Sequence, residues 1–173
     1  MNLFQKNIEK WSETDPKRAL MLPYLHFDKP HVLPKVTLDE AKTWFKSLDL
    51  KETKALFIYG VGSLTYYKVA KKWLEKGDNR LIFLEDDLTA IHALFHTEIG
   101  KELLHENRVS LYYFENIEEI KQITLALRFE FFMKKILVSA TKNYEKRKNK
   151  TYLELQHRIY NDQSLHNSLL QEY

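Results

Sequence analysis

Two short stretches, Tyr59-Gly60-Val61-Gly62-Ser63 and Glu85-Asp86-Asp87, hold the residue types from which a ligand site could be built. Glycines at 60 and 62 let the backbone turn sharply and leave N–H groups free near a helix start, where phosphates and other anions are held. An acid about 25 residues later is placed to accept hydrogen bonds from two ribose hydroxyls. The pattern is incomplete, because G-x-G-x-x-G requires glycine at position 65 and Thr65 stands there. The close helix–strand packing around a pyrophosphate is therefore not provided. Two glycines followed by an acid suit S-adenosylmethionine or another nucleoside-type ligand better than a dinucleotide. The same residues serve equally as a tight turn and an acidic N-cap with no ligand at all. Glu85 and Asp87 could also hold Mg²⁺ or Mn²⁺ through oxygen, but no metal is assigned.

Other constellations are weaker. His92 and His96 lie four apart on an expected helix, a chelating spacing, but Ala93 stands where a zincin motif has its glutamate. Tyr66, Tyr67, Tyr112, Tyr113, Phe114, Phe129, Phe131 and Phe132 could stack on bases; their places at strand ends and at helical spacing suit a core or an interface better. Lys142, Lys146, Arg147, Lys148 and Lys150, set against Glu145 alone, form one basic patch in a chain of net charge +3. The remainder is then close to neutral, so the electrostatic footprint of a dedicated nucleic-acid binder is missing. The patch reads as a solvated face opening the last helix, with RNA, phosphate or acidic lipid as alternative ligands. No Ser-His-Asp or paired-carboxylate arrangement is visible. The chain has no cysteine, which removes disulfides, thiolate metal sites and cysteine nucleophiles. With no basic-then-apolar leader and no long uninterrupted apolar stretch, a cytoplasmic location without a transmembrane segment is expected.

These residues need elements to position them. "KALFIYG" (54–60), "RLIFLE" (80–85), "RVSLYYF" (108–114) and "KKILVSA" (134–140) are apolar runs of strand length. Helical patterns follow each of them, over 63–76, over roughly 88–104, within "NIEEIKQITLALRFEFF", and from about 143 to the end. Apolar strands alternating with helices predict an α/β fold, a half-Rossmann-like parallel sheet of four strands in the order 3-2-1-4 with helices on both faces. In such a sheet ligands sit outside the carboxyl ends of the strands, where the two acidic and glycine stretches converge. Ahead of it, "NLFQKNIEKW" reads as a helix, and Pro23, Pro30 and Pro34 mark an extended connector. Residues 1–36 are thus a helical arm and 37–173 the α/β domain, opened by a capping box at Thr37 and Glu40. The last helix keeps an apolar stripe (Leu153, Ile159, Leu165, Leu169) with no closing cap. That predicts either a fragment of a longer polypeptide or a helix docked on a second subunit.

Three segments together are similar to the amino-terminal part of the bacterial motility accessory factor family. They are the opening "NLFQKNIEKWSETDP", the strand turn "ALFIYGVGS" and the segment "RLIFLEDDLTAIHALF". The resemblance implies a Rossmann-like domain preceding the central domain of a glycosyltransferase that places nonulosonic sugars on flagellin. Asp86 stands where that family usually has proline, and Ser63 where it often has a third glycine. The family's glycine-proline-serine segment for the sugar nucleotide is not among these residues. The resemblance therefore implies an accessory domain, inactive by itself, with a protein acceptor as partner. It marks Gly60, Gly62 and Glu85 as a pocket either in use or left over. The competing readings are a methyltransferase using S-adenosylmethionine and an RNA- or lipid-binding module acting through the basic patch.

Overall fold

Four apolar runs form four parallel strands. β1 (Thr53–Tyr59), β2 (Arg80–Glu85), β3 (Val109–Tyr113) and β4 (Lys135–Ala140) pair in the order β3-β2-β1-β4, the order that the alternating pattern predicts. The computed structural model describes residues 1–29, 33–131 and 133–172; Pro30 of the connector, Phe132 of the aromatic set and Tyr173 at the end of the last helix lie outside the described residues. Tyr59 is level with Leu84 on one side and Ala140 on the other, so the turns leaving β1, β2 and β4 emerge together.

Alternation along the strands divides the core into two faces, as the period of a strand requires. Leu56, Ile58, Leu81 and Phe83 face one layer, with Trp11, Trp44, Tyr67 and Leu94. Ala55, Phe57, Tyr59, Ile82 and Leu84 face the other, with Ile120, Leu127, Leu155 and Ile159. The first layer contains α3 (Leu38–Lys46), α4 (Thr65–Leu74), α5 (Leu88–Leu94) and α6 (Glu98–His105); the second contains α7 (Ile120–Leu127) and α9 (Asn149–Gln171). Between β4 and α9 lies the short α8 (Lys142–Arg147).

The amino-terminal helices pack on the first face. α1 (Leu3–Trp11) opens with a capping box between Asn2 and Gln5, and α2 (Pro16–Met21) is capped by Asp15. Trp11, Ala19 and Leu22 belong to the same buried cluster as Leu56 and Ile58. Edge strands expose unpaired backbone groups, and both edges here are covered by side chains. Trp11 Nε1 donates to Leu111 O on β3 at 3.0 Å. On β4, Val138 N–H donates to Tyr160 Oη at 2.9 Å, while Gln156 Nε2 donates to Val138 O at 3.2 Å.

Three helices differ from the periodic reading. The stretch 88–104 breaks into α5 and α6 because the Thr97 hydroxyl starts a new helix by accepting from Gly100 N–H at 3.0 Å. The helix after β3 is confined to Ile120–Leu127, behind a 3₁₀ turn at Ile117–Glu119. The terminal helix is interrupted at Lys148 (φ −123°, ψ 37°), whose ammonium reaches Asp86. The Thr37–Glu40 capping box opens α3 as its sequence predicts.

Candidate functional site

The turn after β1 and the acid ending β2 do meet. Gly60 (φ +98°) and Gly62 (φ +58°) both adopt left-handed backbone, which glycine takes without a steric cost. Leu64 (φ 74°) also lies there and starts α4 with no side-chain cap. Glu85 Oε2 accepts from Val61 N–H at 3.0 Å, locking the glycine turn onto the end of β2.

The other carboxylate oxygen is fully engaged. Glu85 Oε1 accepts from Asp86 N–H and Asp87 N–H, each at 3.0 Å, and from the Tyr144 hydroxyl at 2.6 Å. Four donors are about as many as a carboxylate accepts. Glu85 is completely buried, and that burial pushes its pKa up to about 7 against the opposing hydrogen bonds from Tyr144 and Val61. Burial likewise raises the Tyr144 and Tyr59 phenols, the neighbouring carboxylates adding to the effect.

A second chain of contacts runs alongside. Tyr59 Oη donates to Asp86 Oδ2 at 2.7 Å, and Lys148 Nζ donates to Asp86 Oδ1 at 2.6 Å. The Lys148 ammonium lies 4.2 Å from the centroid of the Tyr144 ring and 5.8 Å from that of Tyr59, a cation–π arrangement. The Tyr59 and Tyr144 rings meet edge to face at 4.8 Å. Asp87 caps α5 by accepting from Thr89 N–H at 2.9 Å.

A cleft of about 380 Å³ opens beside this network, walled by Val61 and Gly62 on one side and by Asn143, Tyr144 and Arg147 on the other, with Glu85 and Thr141 also lining it. The residues picked out by the sequence thus divide. Gly62 and Glu85 line the cleft; Gly60 is closely packed, since a Cβ there would lie 2.8 Å from Thr141 Oγ1 and from Tyr144 Cδ2. The Ser63 hydroxyl pairs with Thr65 Oγ1 at 2.8 Å, and Asp86 and Asp87 serve an ion pair and a helix cap. Of the basic patch, Lys142, Lys146, Arg147 and Lys150 are exposed, and Lys148 turns inward to Asp86. Thr141, Asn143 and Tyr144 carry no local sequence signal of a site, although a parallel sheet brings the turn after β4 beside the turn after β1.

These residues do not fit a nucleoside held by Glu85, because the carboxylate that would accept the ribose hydroxyls already accepts from four protein donors. Among the described residues no group of three or more His, Cys, Asp and Glu side chains could hold a metal ion. His92 and His96 pack at 5.0 Å, and His96 stacks on Phe4 at 4.3 Å. No helix among the described residues is long and apolar enough to cross a membrane.

The fold is of the Rossmann-like α/β class, with its cleft at the switch point between β1 and β4. No family model matches the chain, and no curated protein or solved structure matches it.

Proposed function

We propose that this chain is a non-catalytic, Rossmann-like accessory module of a bacterial glycosyltransferase of the motility accessory factor type, serving assembly or acceptor presentation. The observation that carries this reading is the consumption of Glu85. The acid that a nucleoside-binding enzyme would keep free instead fastens the glycine turn, the end of β2 and α8 to one another. The site supports a rigid joint more than a nucleotide pocket. A role in assembly is supported by α9, which buries Leu155 and Ile159 but leaves Leu153, Leu165 and Leu169 about half exposed.

Calorimetric titration of the folded chain with S-adenosylhomocysteine tests the non-catalytic part. No heat is expected at millimolar ligand, whereas binding abolished by Glu85→Gln would replace this reading with the methyltransferase one. The family part is tested by reading the transcript beyond codon 173. Continuation into a glycine-proline-serine transferase segment is expected, and a stop codon there would overturn it.

A further inference from the structure

The cleft beside the glycine turn holds more unengaged polar groups than a turn requires. Thr141 is 1 % exposed and its hydroxyl has no hydrogen-bond partner among the described residues. It occupies the N-cap position of α8, where a threonine hydroxyl ordinarily accepts from its own helix, yet it makes no such bond. Buried hydroxyls without partners are uncommon and call for an explanation. Thr141 lines the cleft, and its hydroxyl lies beside the Gly60 turn that forms the cleft's inner wall.

Two further groups face the same space. Arg147 Nε is fixed by Asn143 Oδ1 at 2.5 Å, which leaves the two Nη groups with no carboxylate among the described residues. The Gly62 N–H, presented in left-handed backbone, has no acceptor among the described residues. Nearby acids do not cancel this donor set. Asp86 is neutralised by Lys148 at 2.6 Å, and Glu85 is shielded by its four donors.

We propose that this cleft binds a small oxyanion, a phosphate or carboxylate group on a compact polar molecule, gripped by the outer edge of Arg147 and by Thr141 Oγ1 and Gly62 N–H. A planar guanidinium fork matches two oxygens of such a group, and charge-assisted bonds of this kind are the strong ones. Asn143 is a positioning residue that holds the fork in place. A volume of about 380 Å³ admits a phosphorylated or acidic monosaccharide-sized molecule. The inference rests on the cleft alone and stands or falls separately from the transferase-module reading.

The test is an amide-resolved NMR titration of the whole chain with inorganic phosphate and, separately, with acetate, at ionic strength held constant with sodium chloride. Saturable shifts at Gly62, Thr141 and Arg147 are expected in the millimolar range. A response to phosphate alone identifies a phosphorylated ligand, and a response to acetate alone a carboxylic acid. Arg147→Gln is expected to weaken binding about tenfold, the loss of one charge-assisted contact. Thr141→Val, which removes only an unpartnered hydroxyl, is expected to leave the melting temperature unchanged and weaken binding severalfold. Absence of saturable shifts with either anion at tens of millimolar, or shifts that persist undiminished in both variants, overturns the proposal.

Discussion

The Tyr144 hydroxyl donates to Glu85 Oε1 at 2.6 Å, tying the first turn of α8 to the carboxyl end of β2. This bond lies where the glycine and acidic stretches converge, and both partners are buried. Tyr144→Phe keeps the ring packed against Tyr59 and removes only the hydroxyl. Because the acceptor is charged, the loss is expected to cost about 1.5–3 kcal/mol at pH 8. At pH 5, where Glu85 is protonated, the cost should shrink. Urea unfolding at the two pH values measures both; an equal cost at both would show that Glu85 is not the charged partner.

The pH dependence follows from Glu85 itself. Burial raises its pKa from an ordinary 4.5 to about 7, so the native state holds the proton more tightly than the unfolded chain. The resulting stabilisation is fully present below about pH 4.5 and is lost as pH rises to about 7, a change on the order of 3 kcal/mol. His92 works in the opposite direction, since burial lowers its pKa and favours the native state as pH rises. The direct measurement is therefore the side-chain carboxyl carbon of Glu85 followed by NMR, with an expected midpoint near 7. Tyr144→Phe should move that midpoint upward, because the removed bond favours the ionised form. A midpoint in the ordinary glutamate range would refute the assignment.

Close packing at the glycine turn gives a third expectation. Gly60 and Gly77 both have positive φ, which costs a residue with a Cβ about 1–2 kcal/mol. A Cβ on Gly77 would meet only Lys54 Nζ, at 3.9 Å, whereas one on Gly60 would press on Thr141 and Tyr144 at 2.8 Å. Gly77→Ala should lose only the conformational cost. Gly60→Ala should lose a further 1–3 kcal/mol or so from overpacking. Parallel denaturation curves compare the two, and equal losses would mean that the turn yields freely.

Much of this architecture is legible in the residues. Strands of a parallel sheet are covered on both faces, so "ALFIY" and "LIFLE" read as unbroken apolar runs, and short right-handed crossovers leave few strand orders to choose from. The meeting of Gly62 with Glu85 follows from that order. What Glu85 does there was not legible. Its role depends on Tyr144, which lies 59 residues away on the short helix that ends at Lys148. Lys148 itself reads as one charge of a solvated run, yet its ammonium sits over the Tyr144 ring against Asp86. Local patterns report the apolar period faithfully but carry no signal for a long-range ion pair or for the helix break beside it.

The two sheet edges offer the sharpest contrast in how backbone groups are satisfied. Trp11 is 1 % exposed and donates to Leu111 O on β3; Tyr160 is 38 % exposed and accepts from Val138 N–H on β4. Trp11→Phe leaves a buried carbonyl without its donor and a small void against Phe95. The carbonyl alone is expected to cost about 1–3 kcal/mol, with the void adding to it. Tyr160→Phe opens the Val138 N–H to water that already reaches the ring, so its cost should stay near or below about 1 kcal/mol. Hydrogen exchange gives an independent readout of the same difference. Val138 N–H should exchange much faster in Tyr160→Phe with global stability nearly kept, whereas Trp11→Phe should raise exchange across the core through lost global stability. If both variants lost the same stability, the amino-terminal helix would be no more firmly joined to the sheet than the exposed side of α9.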